Sequence, residues 1–171
     1  METLNKTKIN SYLTFKLGDE LYAANVKNVL NIVELSKITK VPKVPDYMLG
    51  IINLRGVVLP VIDSRKKFGL PLTEFTVNTC ILVLDVVVNN NNVLIGALVD
   101  GVKEVVEIEN EEIKDPPSIG FNLNKYFITG VYRKTDDDVF IMILDMDSIF
   151  STDDVVTISQ HAENVEDSAA S

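Results

Sequence analysis

The 171-residue sequence predicts an all-β protein with a few short helices, built as two similar halves of about five short strands each. Three observations carry this reading. Apolar residues either alternate with polar ones or run unbroken over short stretches, the patterns of half-buried and fully buried strands. Between them lie turn formers: Gly18-Asp19, Asn53 to Gly56, Asn89 to Asn92, Asp100-Gly101 and Lys134 to Asp138. The third observation is an internal echo. Residues 95–102 repeat the pattern of 22–29, and Gly130-Val131 with Leu144-Asp145 repeats Gly50-Ile51 with Ile62-Asp63 in the same order. Small antiparallel units of this kind close into barrels, because closure removes exposed strand edges.

Residues 1–8 are polar and expected to be loose. Over residues 9–17, Leu13, Phe15 and Leu17 alternate with Tyr12, Thr14 and Lys16, a strand with one buried face. Gly18-Asp19 turns it into a second strand through Leu21 and Ala23. From Asn25 the period changes: Val26, Val29, Leu30 and Val33 stand at helical spacing with Asn25 as a cap, so a short helix or an irregular strand fits. The chain then extends into residues 42–69, where Pro42 and Pro45 fix an extended approach. A strand, an Asn53-Leu54-Arg55-Gly56 turn with Arg55 at its tip, and the apolar strand 57–63 follow. Ser64 offers a helix N-cap, with Gly69 closing the turn.

Residues 79–88 are the most β-branched run and suit a central strand buried on both faces. Asn89 to Asn92 reads as a hairpin tip, and Asp100-Gly101 reads as another between residues 93–99 and 102–108. Residues 109–114 predict one helical turn stopped by Pro116-Pro117, and 118–125 a surface crossover. Strands at 127–133 and 139–144 form a last hairpin, and 145–150 a short closing helix. Residues 151–171, rich in Ser, Asp, Glu and Ala, predict a disordered acidic tail.

The chain carries 16 basic and 25 acidic side chains, for a net charge of -9. Five of the acids lie in residues 151–171, which hold no Lys or Arg, so twenty acids face sixteen bases in the remainder. That balance, with scarce aromatics, argues against a third reading, an OB-type nucleic-acid binder, which needs clustered cations and stacking platforms. Cys80 is alone, so there is no disulfide framework, and a reducing, cytoplasmic setting fits. The first ten residues have no signal-peptide core, and no apolar run has the roughly 20 residues of a spanning helix, so direct membrane insertion is not expected.

Catalytic chemistry is thin. The single histidine, His161, falls in the acidic tail, and no phosphate-loop or dinucleotide fingerprint occurs. Asp145 and Asp147, with Asp136, Asp137 and Asp138, offer carboxylates for a divalent metal, but nothing matches the spacing of a calcium loop. A β-barrel enzyme or metal-binding domain using them is the alternative to a binding module; the reading adopted has no metal and no cofactor. Asp63 and Arg65 form a candidate structural ion pair at a strand-to-helix junction. Arg55 reads either as a solvated turn residue or as an interface anchor, since arginine is enriched at binding hot spots. Core packing is the default for Val29, Ile32, Val99 and Val102, and a strand bulge for Gly96.

The motif Val41-Pro42-x-x-Pro45-x-Tyr47-x-x-Gly50-Ile51-Ile52-Asn53-Leu54-Arg55-Gly56-x-x-x-Pro60-Val61-Ile62-Asp63-Ser64-Arg65 is long and specific. With Gly96-x-x-Val99-Asp100-Gly101-Val102-x-x-Val105, Ile128-Thr129-Gly130-Val131 and Ile143-Leu144-Asp145, it resembles the CheW-like family of bacterial chemotaxis coupling proteins. The likeness runs from Tyr12 to Phe150. It implies a single CheW-like domain over residues 9–150, made of two intertwined, SH3-like five-stranded barrels, roughly 15–80 and 81–145, with termini crossing over. It implies no catalytic site, a monomer when isolated, and a scaffold joining a CheA-type histidine kinase to the cytoplasmic tips of methyl-accepting chemoreceptors in membrane-associated arrays. The family's receptor groove maps to Val29, Ile32 and Arg55, and its kinase contact to Cys80, Gly96 and Val102. Two positions depart from the family pattern: Asn31 stands where Glu is frequent and Ser64 where Leu is usual.

Overall fold

The computed structural model describes residues 8–72, 74–116, 127–135 and 138–150. Residues 1–7 of the expected loose N-terminus, the 118–125 crossover, Asp136, Asp137 and the acidic tail lie outside the described residues; Lys8 is described, and its carbonyl accepts from the Asn110 amide at 3.0 Å. Eleven strands and two four-residue helices are present among those described: β1 Ile9–Leu17, β2 Glu20–Asn25, β3 Val29–Glu34, β4 Met48–Leu54, β5 Val57–Asp63, α1 Ser64–Lys67, β6 Cys80–Val88, β7 Asn91–Val99, β8 Gly101–Glu109, β9 Ile113–Lys114, β10 Ile128–Lys134, β11 Val139–Leu144 and α2 Met146–Ile149. The change of period after Asn25 is both things the sequence allowed. Val26–Asn28 is a 3₁₀ turn capped by the Asn25 side chain, which accepts from the Lys27 amide at 3.0 Å, and β3 follows directly.

The strands form two curled sheets: sheet A in the order β8-β1-β2-β11-β10-β9 and sheet B in the order β3-β6-β7-β5-β4. Each sheet takes strands from both sides of residue 80. Sheet A joins β1 and β2 to β8 through β11, and sheet B joins β3, β4 and β5 to β6 and β7. Matching β1 with β6, β2 with β7, β3 with β8, β4 with β10 and β5 with β11 superposes one strand order on the other. Each sheet contains one parallel pair, β11 with β2 and β5 with β7, and both pairs join the two repeats.

This exchange overturns one expectation. Asp100-Gly101 is not a hairpin: β7 pairs with β6 and β5, whereas β8 leaves for sheet A and pairs with β1. The Asp100 amide donates to the Lys16 carbonyl at 3.0 Å, and its carboxylate accepts from the Gly18 amide at 2.7 Å. The aspartate serves a crossover, where the dipeptide pattern alone suggested a turn. The Asn89-Asn90 tip, in contrast, is a two-residue hairpin, with both residues at positive φ (51° and 65°).

Three apolar clusters follow from strands that are buried on both faces. In β6, Ile81 and Val83 face the interior of sheet B, with Leu59, Val61 and Leu98, while Leu82, Leu84, Val86 and Val88 join the central core between the sheets. In β1, Leu13, Phe15 and Leu17 enter that same central core, while Tyr12 packs inside sheet A with Ile108, Ile141 and Ile143. The one-faced burial expected for β1 is therefore corrected: Thr14 is buried as well. Its hydroxyl donates to the Glu104 carbonyl at 2.8 Å and accepts from the Glu104 amide at 3.1 Å, where the β1–β8 register shifts. A threonine satisfied in this way can be buried at little cost.

Candidate functional site

Arg55 is displayed by backbone geometry. Arg55 and Gly56 have φ of 52° and 86°, the pattern of a type I′ turn, whose twist matches the strands it joins. The Asn53 side chain accepts from the Gly56 amide at 2.8 Å and pins the tip. Arg55 is exposed and pairs with no described residue. The matching hairpin, β10–β11, places Arg133 against Asp138, Nε to Oδ1 at 2.8 Å, so its arginine is engaged.

On β3, Val29 is half-buried against the central core, while Ile32 is 43% exposed. Leu30, which the sequence pattern counted into an apolar helical stripe, is 56% exposed, and Val57 beside the Arg55 tip is exposed as well. Leu30 and Ile32 alternate onto the outward face of β3, and Val57 opens β5 directly after the turn. β3 and the β4–β5 hairpin belong to one sheet and stand at opposite ends of its hydrogen-bond order.

The second set is placed differently. Cys80 opens β6, half-buried, and burial pushes its thiol pKa up. Val102 sits on β8 opposite Phe15 in the ladder, also packed against the central core. Gly96 is buried in β7, in register with Val83 on one side and Val61 on the other, so it does not sit at a bulge. A Cβ there would lie 2.8 Å from an Ile81 methyl and 3.2 Å from Leu59, so the missing side chain makes room for this protein's own core.

Asp63 and Arg65 meet at the β5–α1 junction. Arg65 Nη2 lies 3.0 Å from Asp63 Oδ2 and its Nε 3.1 Å from Oδ1, with both side chains buried. Arg65 Nη1 reaches Asp100 Oδ1 at 3.3 Å, and the guanidinium lies over the Phe75 ring at 5.2 Å. The Asp63 hydrogen bond, aided by the charges of Asp63 and Asp100, raises the Arg65 pKa despite its burial. Asp63, not Ser64, caps α1: its carboxylate accepts from the Arg65 amide at 3.0 Å. A carboxylate at the strand end can serve the cap and the arginine together, which a serine hydroxyl cannot.

Of the carboxylates of the metal alternative, the described ones, Asp138, Asp145 and Asp147, accept from protein donors. Asp145 caps α2 and accepts from the Ser148 hydroxyl at 2.6 Å. Asp147 Oδ1 accepts from Asn28 Nδ2 at 3.2 Å and from the Val87 amide at 3.0 Å. Among the described residues no group of three or more His, Cys, Asp or Glu is arranged to hold a metal ion. No helix among them is long and apolar enough to cross a membrane.

Residues 11–154 match the family model described as CheW-like domain. This chain belongs to the CheW-like domain family. It is 28% identical to the chemotaxis protein CheW of Klebsiella aerogenes over 153 residues, covering 90% of this chain and 89% of that protein. It is 32% identical to the probable chemotaxis protein CheW of Rhizobium etli over 139 residues, covering 81% and 86%. Among solved structures, the scaffolding protein TtCheW from Thermoanaerobacter tengcongensis superposes with a TM-score of 0.73 at 30% identity, over 86% of this chain and 96% of that one. With CheW-like membership, the chain is a non-enzymatic chemotaxis protein with an adaptor's architecture.

Proposed function

We propose that this CheW-like protein couples a CheA-type histidine kinase to the cytoplasmic tips of methyl-accepting chemoreceptors, acting on the cytoplasmic side of membrane-associated arrays. The observation that carries this reading is the contrast between two hairpins. Arg55 is held outward on a pinned turn with no described partner, while Arg133 in the matching hairpin is engaged by Asp138. An uncommitted arginine beside exposed apolar strand residues suits a helix-in-groove contact, with apolar area supplying affinity and the cation fixing orientation. Val29, Ile32 and Arg55 form the receptor side of the proposal. Cys80, Gly96 and Val102 form the kinase side, where Cys80 and Val102 offer partly exposed surface and Gly96 acts through the packing of Ile81 and Leu59.

Mixing the protein with a kinase fragment and a receptor cytoplasmic fragment tests the whole reading: a ternary complex is expected, and its absence refutes coupling. Arg55→Ala tests the receptor side. Binding to the receptor fragment should fall by about tenfold, the loss that about 1.4 kcal/mol of interface energy implies. Unchanged binding would remove Arg55 from the interface.

A further inference from the structure

The loop between α1 and β6 keeps three large apolar side chains in solvent: Leu72, Phe75 and Val77 are 58%, 50% and 100% exposed. Val77 is the most exposed large apolar residue among those described. The loop is nevertheless firmly held. The Thr79 amide donates to the Thr76 carbonyl at 3.1 Å, closing a β-turn with Val77 and Asn78 at its centre. Two threonine hydroxyls brace it, Thr79 Oγ1 accepting from the Thr76 amide at 2.8 Å and Thr76 Oγ1 from the Asn78 amide at 3.1 Å. Turn centres favour Gly, Pro and small polar residues, so nothing in the turn itself calls for a valine. A braced turn that displays an apolar side chain has little left to order when a partner buries it.

The turn is continuous with the proposed kinase side. Thr79 precedes Cys80, and a Cβ at Gly101 would lie 3.6 Å from the Asn78 Cβ, so the turn rests on the crossover that leads into Val102. Phe75 is tied to the same crossover through Arg65, which lies over its ring at 5.2 Å and reaches Asp100 at 3.3 Å. Charged groups stand beside the tip: Glu74 lines a cleft of about 360 Å³ with Lys16, Asp19 and Lys103. An apolar centre with a charged rim is the composition of a protein interface. β5 separates this surface from the proposed receptor side. Arg55 stands two residues before the strand begins, and Asp63, which holds Arg65, ends it about 20 Å away. Two partners can therefore be held at opposite ends of one strand.

We propose that Val77 anchors the kinase contact: with Phe75 at its flank it enters an apolar pocket of the CheA-type kinase, whose surface then extends over Cys80 and Val102. This role for Val77 rests on the coupling function proposed above.

Titration calorimetry of a kinase fragment with the full-length wild type, V77D and V77I tests the anchor. V77D should bind about tenfold more weakly and V77I as tightly as the wild type, while thermal midpoints and receptor-fragment binding stay unchanged. Equal binding by V77D and the wild type overturns the anchor and leaves the coupling function standing. A wild-type chain that binds no kinase fragment overturns both. A lower midpoint for V77D would assign Val77 to the fold and likewise overturns the anchor. Sedimentation at about 2 and about 200 μM examines the other occupant: a wild-type dimer that V77D dissociates, with kinase binding unchanged, gives the tip to a second copy and overturns the proposal.

Discussion

In the first repeat, Asp63 caps α1, and Arg65, two residues on, reaches Asp100 where β7 crosses into β8. In the second repeat, Asp145 caps α2, and Asp147, also two residues on, reaches Asn28 where β2 crosses into β3. Each strand-end helix therefore clasps the point at which the other repeat changes sheets. The first clasp is a buried ion network and the second a neutral amide held by a carboxylate. The same placement is served by different chemistry, so the two should fail by different amounts.

The largest expected effect is Arg65→Ala, which leaves Asp63 and Asp100 facing each other without their cation. Urea unfolding should show a loss of about 3–5 kcal/mol, the cost of stranding buried charge. A loss under about 1 kcal/mol would mean that the ion network is not what holds this crossover. The paired glycines come next. Gly50 has a φ of +147°, and a Cβ there would collide with the Thr39 carbonyl oxygen, a backbone atom; at Gly130 the collision is with an Ile113 side-chain methyl. Gly50→Ala should cost about 3–4 kcal/mol and Gly130→Ala about 1–3, because only Gly50 adds a strained positive φ to its collision. Thermal melts of the two variants check that order, and equal costs would break it.

Asp147→Ala removes the neutral clasp and should cost about 1–2 kcal/mol, measurably less than the arginine variant. The smallest effect is that of Arg55→Ala on stability, within about 0.5 kcal/mol, since the side chain is exposed. A larger loss at Arg55 would assign it a structural partner and weaken the contrast with Arg133.

Much of the fold was legible because its signals are local. The Asn53 to Gly56 and Asn89-Asn90 turns, the 3₁₀ turn after Asn25 and the short helices at Ser64 and Met146 all follow from residues within a few positions of one another. The echo between the halves was legible for the same reason: the β4–β5 and β10–β11 ladders both shift register, between Met48 and Gly50 and between Ile128 and Gly130. What the sequence concealed is long-range. Asp100-Gly101 has the chemistry of a hairpin, and only its bonds to Lys16 and Gly18, more than eighty residues away, send the chain into the other sheet. Thr14 looked solvent-facing because its partner, Glu104, is ninety positions distant. At the candidate site, the outward display of Arg55 could be read from its turn. The exposure of Leu30 could not, because it depends on which face of β3 the fold leaves uncovered.

The parallel pairs also set a schedule for synthesis. β2 lies between β1 and β11, so among the earliest residues to be made are some whose neighbours come more than a hundred positions later. Sheet A cannot be complete until Leu144 has been added, and loops of that length make closure slow. Until then Tyr12 and Ala23 of the first hairpin lack their sheet A partners Ile141 and Ile143, an apolar face left open in the growing chain.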